Sequence, residues 1–559
     1  MTGPGAPAGA VGDAAKPALV LENLPPEIIA LIFDFLLPQP PEIGETRPVG
    51  YRQLMAEEPW FDFTRCRRGL HSLCRVSRRM SEMARPLLYR VVAIWNERSM
   101  LLFLRTLYNK PHYGLWTRYL SCHITLTRES VIREFRQLLT LHLPSFEPAP
   151  VTSVLTSAAR DFIHMLGQFL PHMVVSEGDL DHVPQALLCF ILMYLTKLET
   201  LLLQVPISDD HQEYDVFCSQ VAQIKALFDS EPYAAPFQNI HTLLLQGDPE
   251  LLAHFEEDDC DCEIPEVWGA QPRRYALLFA SLPKLSTLEV SSDDGVWCCL
   301  PDEHRSSHES SGDDPPPPFL ANIRHIFLHD SAAYPSDMYH LLRNAPQLES
   351  LYLASRLDDD PLREPVEDDS ANAHPEALDI ALSQHAKHLR ALDVSWQDLH
   401  GFESLVGPDG RLTSLAHMGE LTSLCVQMAL LYGSPPAAVP GESAPLVDLL
   451  PPNLVDLTLE DWWWTNAAQL RDMPDWTLED NVRHYQAQHD YRVAALRTLT
   501  QFARDVRTRL RRLKKVVLLC RIPWTWVLEG AVELDFHFEH VKSLFLEQGV
   551  QFSVTSDEV

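Results

Sequence analysis

Ten times between residues 198 and 546 this chain repeats one six-residue pattern: an apolar residue, two variable positions, an apolar residue, one variable position and a last apolar residue. The copies are Leu198–Leu203, Ile240–Leu245, Leu285–Val290, Ile323–Leu328, Leu348–Leu353, Leu389–Val394, Leu421–Val426, Leu454–Leu459, Leu513–Leu518 and Val541–Leu546. The last two apolar positions stand two apart, the period that puts side chains on one face of a strand. Helical spacing precedes several copies, as in Arg273–Ala280 before Leu285 and Asp337–Arg343 before Leu348. A helix, a short turn and a strand cannot bury their apolar face alone and must stack on neighbours, so the predicted fold is α/β, a solenoid with a parallel sheet and outer helices. Copies are 25 to 59 residues apart, which makes the array irregular. A composition 46% hydrophobic over 559 residues is ample for its core.

The extra residues fall after strands and before helices, which in a solenoid collects them on one rim. Three of these insertions are acidic. Gln246–Ala270 holds nine Asp or Glu and no Lys or Arg, Ser291–Phe319 seven against one, and Ala354–His374 seven against two. Together they carry 20 of the 32 net negative charges. Two readings stand: a rim that attracts basic partners, with Glu256, Glu257, Asp258 and Asp259 as steering groups, or solvated loops that serve solubility. Trp462, Trp463 and Trp464 follow the strand at Leu454–Leu459, near the same rim, and are either anchors for a protein target or a cap on the sheet. A basic run at Arg504–Lys515 follows the helical spacing Leu496, Leu499, Ala503, Val506, Leu510, so it is the solvated outer face of a helix and not a nucleic-acid site.

Ahead of the array stand two amphipathic stretches. Pro25 and Pro26 suit a first helical turn, where amide donors have no partner, and Glu27 suits its dipole. Leu24, Ile28, Leu31, Ile32, Phe35 and Leu36 then share a face until Pro38 and Pro40 stop the helix. In Leu70–Val92, Leu70, Leu73, Val76 and Met80 keep helical period, as do Met83, Ala84, Leu87 and Leu88, before the chain turns extended at Tyr89–Val92. Arg65–Arg90 contains eight arginines and one glutamate, a basic module on an acidic protein.

Leu24-Pro25-x-Glu27-Ile28, Ile32-Phe33, Val76-Ser77-Arg78 and Pro86-Leu87-Leu88-Tyr89 resemble an F-box in its fungal form. The array, with its closing Gln548–Val554, resembles the degenerate leucine-rich-repeat half of such proteins. The segment Gln39–Thr64, with Trp60, Phe61 and Phe63 at its end, interrupts the pattern and is expected to be a loop. The resemblance implies a flexible tail over 1–19, an F-box over 20–92 with an insert at 39–64, and a substrate-recognition repeat domain over 93–559. It implies a substrate-recognition subunit of a Skp-cullin-F-box ubiquitin ligase. A Skp-type adaptor, and through it a cullin, would dock on Leu24, Pro25, Ile28, Ile32, Val76, Ser77, Leu87 and Leu88, and a protein target of basic character would be held by the repeats. A scaffold that assembles partners without promoting ubiquitination is the alternative.

No phosphate-binding GxxxxGK[ST], dinucleotide GxGxxG, HExxH or GxSxG motif is present, so no catalytic residue and no cofactor are predicted. His254, Cys260 and Cys262, or Cys298 and Cys299 with His304, lack the paired spacing of structural zinc, and no metal is expected. The longest apolar run, Ala186–Leu195, is half a membrane span and is expected to be a buried helix. Eleven cysteines without a CxxC pair fit reduced thiols, hence cytoplasm or nucleus.

Overall fold

A computed structural model describes residues 24–37, 58–122, 183–204, 221–222, 237–246, 275–291, 318–331, 333, 335–355, 375–396, 411–432, 445–461, 496–520 and 538–556. The chain divides into two compact units. One holds the described residues up to Val91 and the other those from Val92 onward.

The smaller unit is helical. It consists of α1 (Pro26–Asp34), α2 (Glu58–Leu73) and α3 (Arg78–Leu88). Helix α2 corrects one expectation: Glu58–Thr64 is helix and not loop, so the interruption ends before residue 58. The reason is visible in Phe63, which is buried and extends the apolar face of Leu70 upstream by two turns.

The described residues of the larger unit form a sheet of twelve strands in chain order: β1 (Val91–Ile94), β2 (Tyr119–Cys122), β3 (Thr200–Gln204), β4 (Thr242–Gln246), β5 (Thr287–Ser291), β6 (His325–Ser331), β7 (Ser350–Ser355), β8 (Ala391–Trp396), β9 (Ser423–Gln427), β10 (Asp456–Asp461), β11 (Lys515–Cys520) and β12 (Gln551–Ser556). Every pairing from β2 to β12 is parallel. Nine of the ten copies of the six-residue pattern map onto it in a constant way. Its first apolar residue closes a tight turn ahead of the strand, as Leu285 N–H to Leu282 O, Leu348 to Ala345 and Leu389 to Ala386 show. The next residue donates to the preceding repeat: Ser286 to His241, Arg324 to Ser286, Glu349 to Arg324, Arg390 to Glu349. A ladder of backbone bonds thus joins the repeats before the strands begin. The two later apolar residues build continuous rows, Leu288–Ile326–Leu351–Leu392–Leu424 and Val290–Leu328–Leu353–Val394–Val426, all buried.

Helices α4 (Glu97–Asn109), α5 (Val183–Tyr194), α6 (Ala276–Ser281), α7 (Pro335–Asn344) and α8 (Pro375–His385) lie between strands. As the apolar run at 186–195 suggests, Leu187–Leu195 are buried throughout. No helix among the described residues is long and apolar enough to cross a membrane. In the helix 496–509 the basic run is solvated as expected, apart from Arg507, which donates to the carbonyls of Gln548 (2.6 Å) and Gly549 (3.1 Å).

The tenth copy, Val541–Leu546, is helix, a correction. Val541 and Phe545, one turn apart, are buried while Leu546 is exposed, so the period in that window is 3.6 and not 2. The helix ends where Gly549 takes φ +69°, a conformation that suits glycine, and β12 follows at once. Strand β2 lacks the leucine pattern and is not evident from sequence.

Gly114 marks a tight approach. A Cβ there would lie 2.9 Å from the carbonyl carbon of Tyr194 and 3.3 Å from Pro111 O, and backbone cannot step aside cheaply. Gly114→Ala is expected to lower stability of the larger unit by about 1–3 kcal/mol, read as a lower urea midpoint with an unchanged slope.

Candidate docking surface

The three helices of the small unit close around Ile29, Phe33, Leu70, Met80 and Ala84, with Leu24, Ile32, Leu36, Leu73, Cys74, Met83, Leu87 and Leu88 partly buried around them. Pro25 starts α1, its carbonyl accepting from Ile28 N (3.0 Å) and Ile29 N (3.1 Å). Ser77 starts α3, its hydroxyl accepting from Met80 N at 3.3 Å, an N-cap that satisfies a donor left open by the helix.

Helix α1 is apolar on two sides. Ile29 and Phe33, one turn apart, face the core. Ile28, Leu31 and Phe35, at spacings of three and four, remain 42%, 56% and 87% exposed, and Val76, between α2 and α3, is 62% exposed. Helix α1 and its C-cap residue Phe35 thus leave three large apolar side chains exposed as one stripe. The single amphipathic face expected from Leu24 to Leu36 is therefore split. The core takes Ile29 and Phe33, which lie outside that expected set.

Of the residues the resemblance nominates, Pro25, Ile28 and Val76 are exposed. Leu24, Ile32, Leu87 and Leu88 contribute to the core rim, and Ser77 caps a helix. Leu31 and Phe35 were missed as surface residues, although their spacing from Ile28 is the signal that would have found them. Arg65, Arg68, Arg75, Arg78, Arg79, Arg85 and Arg90 are exposed. Arg78 pairs with Glu82 at 3.0 Å in full solvent, a contact worth little energy. The Cys74 thiol is pushed up by burial, against the smaller opposing effects of Arg85 and Ser81, so it stays protonated at neutral pH.

In the large unit, all strands from β2 onward run the same way, so their C-terminal ends share one edge of the sheet. The three acidic segments depart from that edge, after Gln246, Ser291 and Ser355, and Trp462–Trp464 follow β10 there. Glu256, Glu257, Asp258, Asp259, Trp462, Trp463 and Trp464 themselves lie outside the described residues, as do His254, Cys260, Cys262, Cys298, Cys299 and His304. On β8, β9 and β10 the donor atoms of Asp393, Cys425 and Glu460 lie within 4.8 Å of one another, with Cys425 Sγ 3.5 Å from Glu460 Oε1. This is a thiol–carboxylate hydrogen bond on the sheet face.

No protein-family model matches the chain, and no curated protein matches it.

Proposed function

We propose that this chain is the substrate-recognition subunit of a Skp-cullin-F-box ubiquitin ligase. Its helical unit would be the F-box that docks a Skp-type adaptor, and its twelve-stranded unit a leucine-rich-repeat-like receptor for a protein target. The observation that carries this reading is the exposed stripe of Ile28, Leu31 and Phe35 on a helical unit with its own core. A stripe of that kind suits an apolar partner surface, and the exposed arginines of the same unit suit an acidic rim. The mechanism is proximity: holding a target near a ubiquitin carrier bound elsewhere in the complex raises the effective concentration of its lysines. Specificity then resides in the repeat unit.

The test is purification of the full chain with a Skp-type adaptor and a cullin, followed by assay of ubiquitin transfer to co-purifying proteins. The adaptor is expected to co-purify, and modification of at least one target should require this chain. An adaptor complex without chain-dependent modification would favour the scaffold alternative. No adaptor complex at all would overturn the proposal.

The interruption between α1 and α2 offers a further check. Replacing residues 39–57 by a short Gly/Ser linker should preserve adaptor binding. Extending the replacement through Thr64 removes the buried Phe63 and the first turns of α2, and should abolish binding by unfolding the module, seen as lost helical circular dichroism.

A further inference from the structure

The sheet face opposite the buried apolar rows holds a set of polar atoms that lack partners. Register places Ser291 on β5 beside His329 on β6. Two residues earlier, Glu289 stands beside Phe327, which stands beside Tyr352 on β7. Glu289 Oε2, Ser291 Oγ and His329 Nδ1 are each shielded from solvent and have no hydrogen-bond partner among the described residues. Ser291 and His329 keep only 6% and 8% of their surface. The second Glu289 oxygen, Oε1, lies 3.4 Å from His329 Nε2. The His329 and Phe327 rings lie 5.2 Å and 6.3 Å from that of Tyr352. Leaving a buried polar group unmatched is costly, and three on neighbouring positions of two strands point to a partner that completes them.

We propose that this patch is a pocket for a cationic side chain, lysine or arginine, of a protein target. The carboxylate oxygen can only accept a hydrogen bond and the serine hydroxyl can accept one. The imidazole Nδ1 accepts when Nε2 carries its proton toward Glu289. The complement is a group with several N–H donors and a positive charge, and the aromatic rings alongside suit a cation further. An anion would meet the Glu289 charge, and an apolar group would leave all three atoms unmatched. The Glu289 side chain keeps 19% of its surface exposed, the opening through which the ligand would reach it. The chain that follows β5 through Phe319 is itself acidic, which raises the local concentration of cations. This inference deepens the target-capture half of the proposed function and rests on it.

The experiment titrates the full chain with N-acetyl-arginine amide and N-acetyl-lysine amide, against N-acetyl-citrulline amide and N-acetyl-norleucine amide, by calorimetry. At least one cationic probe should bind saturably with one site, and the stronger identifies the side chain preferred. Glu289→Gln should weaken that binding at least tenfold, while Glu376→Gln, on an exposed helix surface, leaves it unchanged. Ser291→Ala should weaken binding and raise the unfolding midpoint, since it removes an unmatched hydroxyl; it decides the matter if Glu289→Gln does not fold. Absence of saturable cation binding, equal binding of the citrulline probe, or binding indifferent to both substitutions would overturn the proposal. Adaptor co-purification from the same preparations separates the two readings. Cation binding without adaptor binding counts against the F-box alone, and adaptor binding without cation binding counts against the pocket alone.

Discussion

Replacing Ile28, Leu31 and Phe35 together by Asp is expected to weaken association with a Skp-type adaptor by at least about a thousandfold, while the helical unit stays folded. Each of these side chains is exposed in the free chain, so none is part of the core and the substitutions remove apolar surface only from the docking face. Full burial of a side chain of this size contributes about 1.5–3 kcal/mol; scaled by the surface the three still expose, docking gains about 3–5.5 kcal/mol, a range that spans the roughly 4 kcal/mol a thousandfold represents. Three carboxylates placed in an apolar interface add a desolvation cost. The measurement is co-purification together with circular dichroism of the free variant. Retained binding in folded protein would remove the α1 face from the docking surface and with it the strongest support for the F-box reading. These substitutions discriminate better than Leu24→Ala with Pro25→Ala. Leu24 is partly buried against the core and its carbonyl accepts from Arg79 Nη2 at 3.4 Å, so losing its side chain mixes a docking effect with a folding one.

Phe33→Ala is expected to act in the opposite way, through stability. Phe33 is 1% exposed and belongs to a small buried cluster with Ile29, Leu70, Met80 and Ala84. Truncating a buried Phe typically costs about 3–5 kcal/mol, a large part of what a domain of this size can hold. The large sheet is a separate compact unit and should keep its stability. Native-state hydrogen exchange should therefore show lost protection in α1, α2 and α3 with protection of β3 to β11 unchanged. Equal loss in both units would mean that they fold as one, and no loss would mean that the small unit does not depend on the Ile29–Phe33 face.

The two predictions separate the faces of one nine-residue helix, and only three-dimensional packing could assign them. In the sequence Leu24, Ile28, Leu31, Ile32, Phe35 and Leu36 form as good a stripe as Ile29 and Phe33 do, because nearly every position of α1 is apolar. Which stripe is core depends on where α2 and α3 lie. The same ambiguity of period explains Val541–Leu546, where six residues fit both a strand and a helix until Val541 and Phe545, one helical turn apart, are both seen to be buried.

Nine strands were legible from sequence, because each repeat carries its own local signal: an apolar residue to close the turn, then two more at the strand period. Such a signal is repeated wherever a repeat is repeated, so irregular spacing did not hide it, and the parallel order follows once helices separate the strands. The same holds for the acidic segments, whose departure from one sheet edge is a consequence of strand direction. What the sequence could not determine is which side chains meet across strands. Glu289, Ser291, His329 and Tyr352 come from three repeats up to 63 residues apart, the six-residue pattern prescribes none of them, and it is the register of β5, β6 and β7 that brings them to one part of the sheet face.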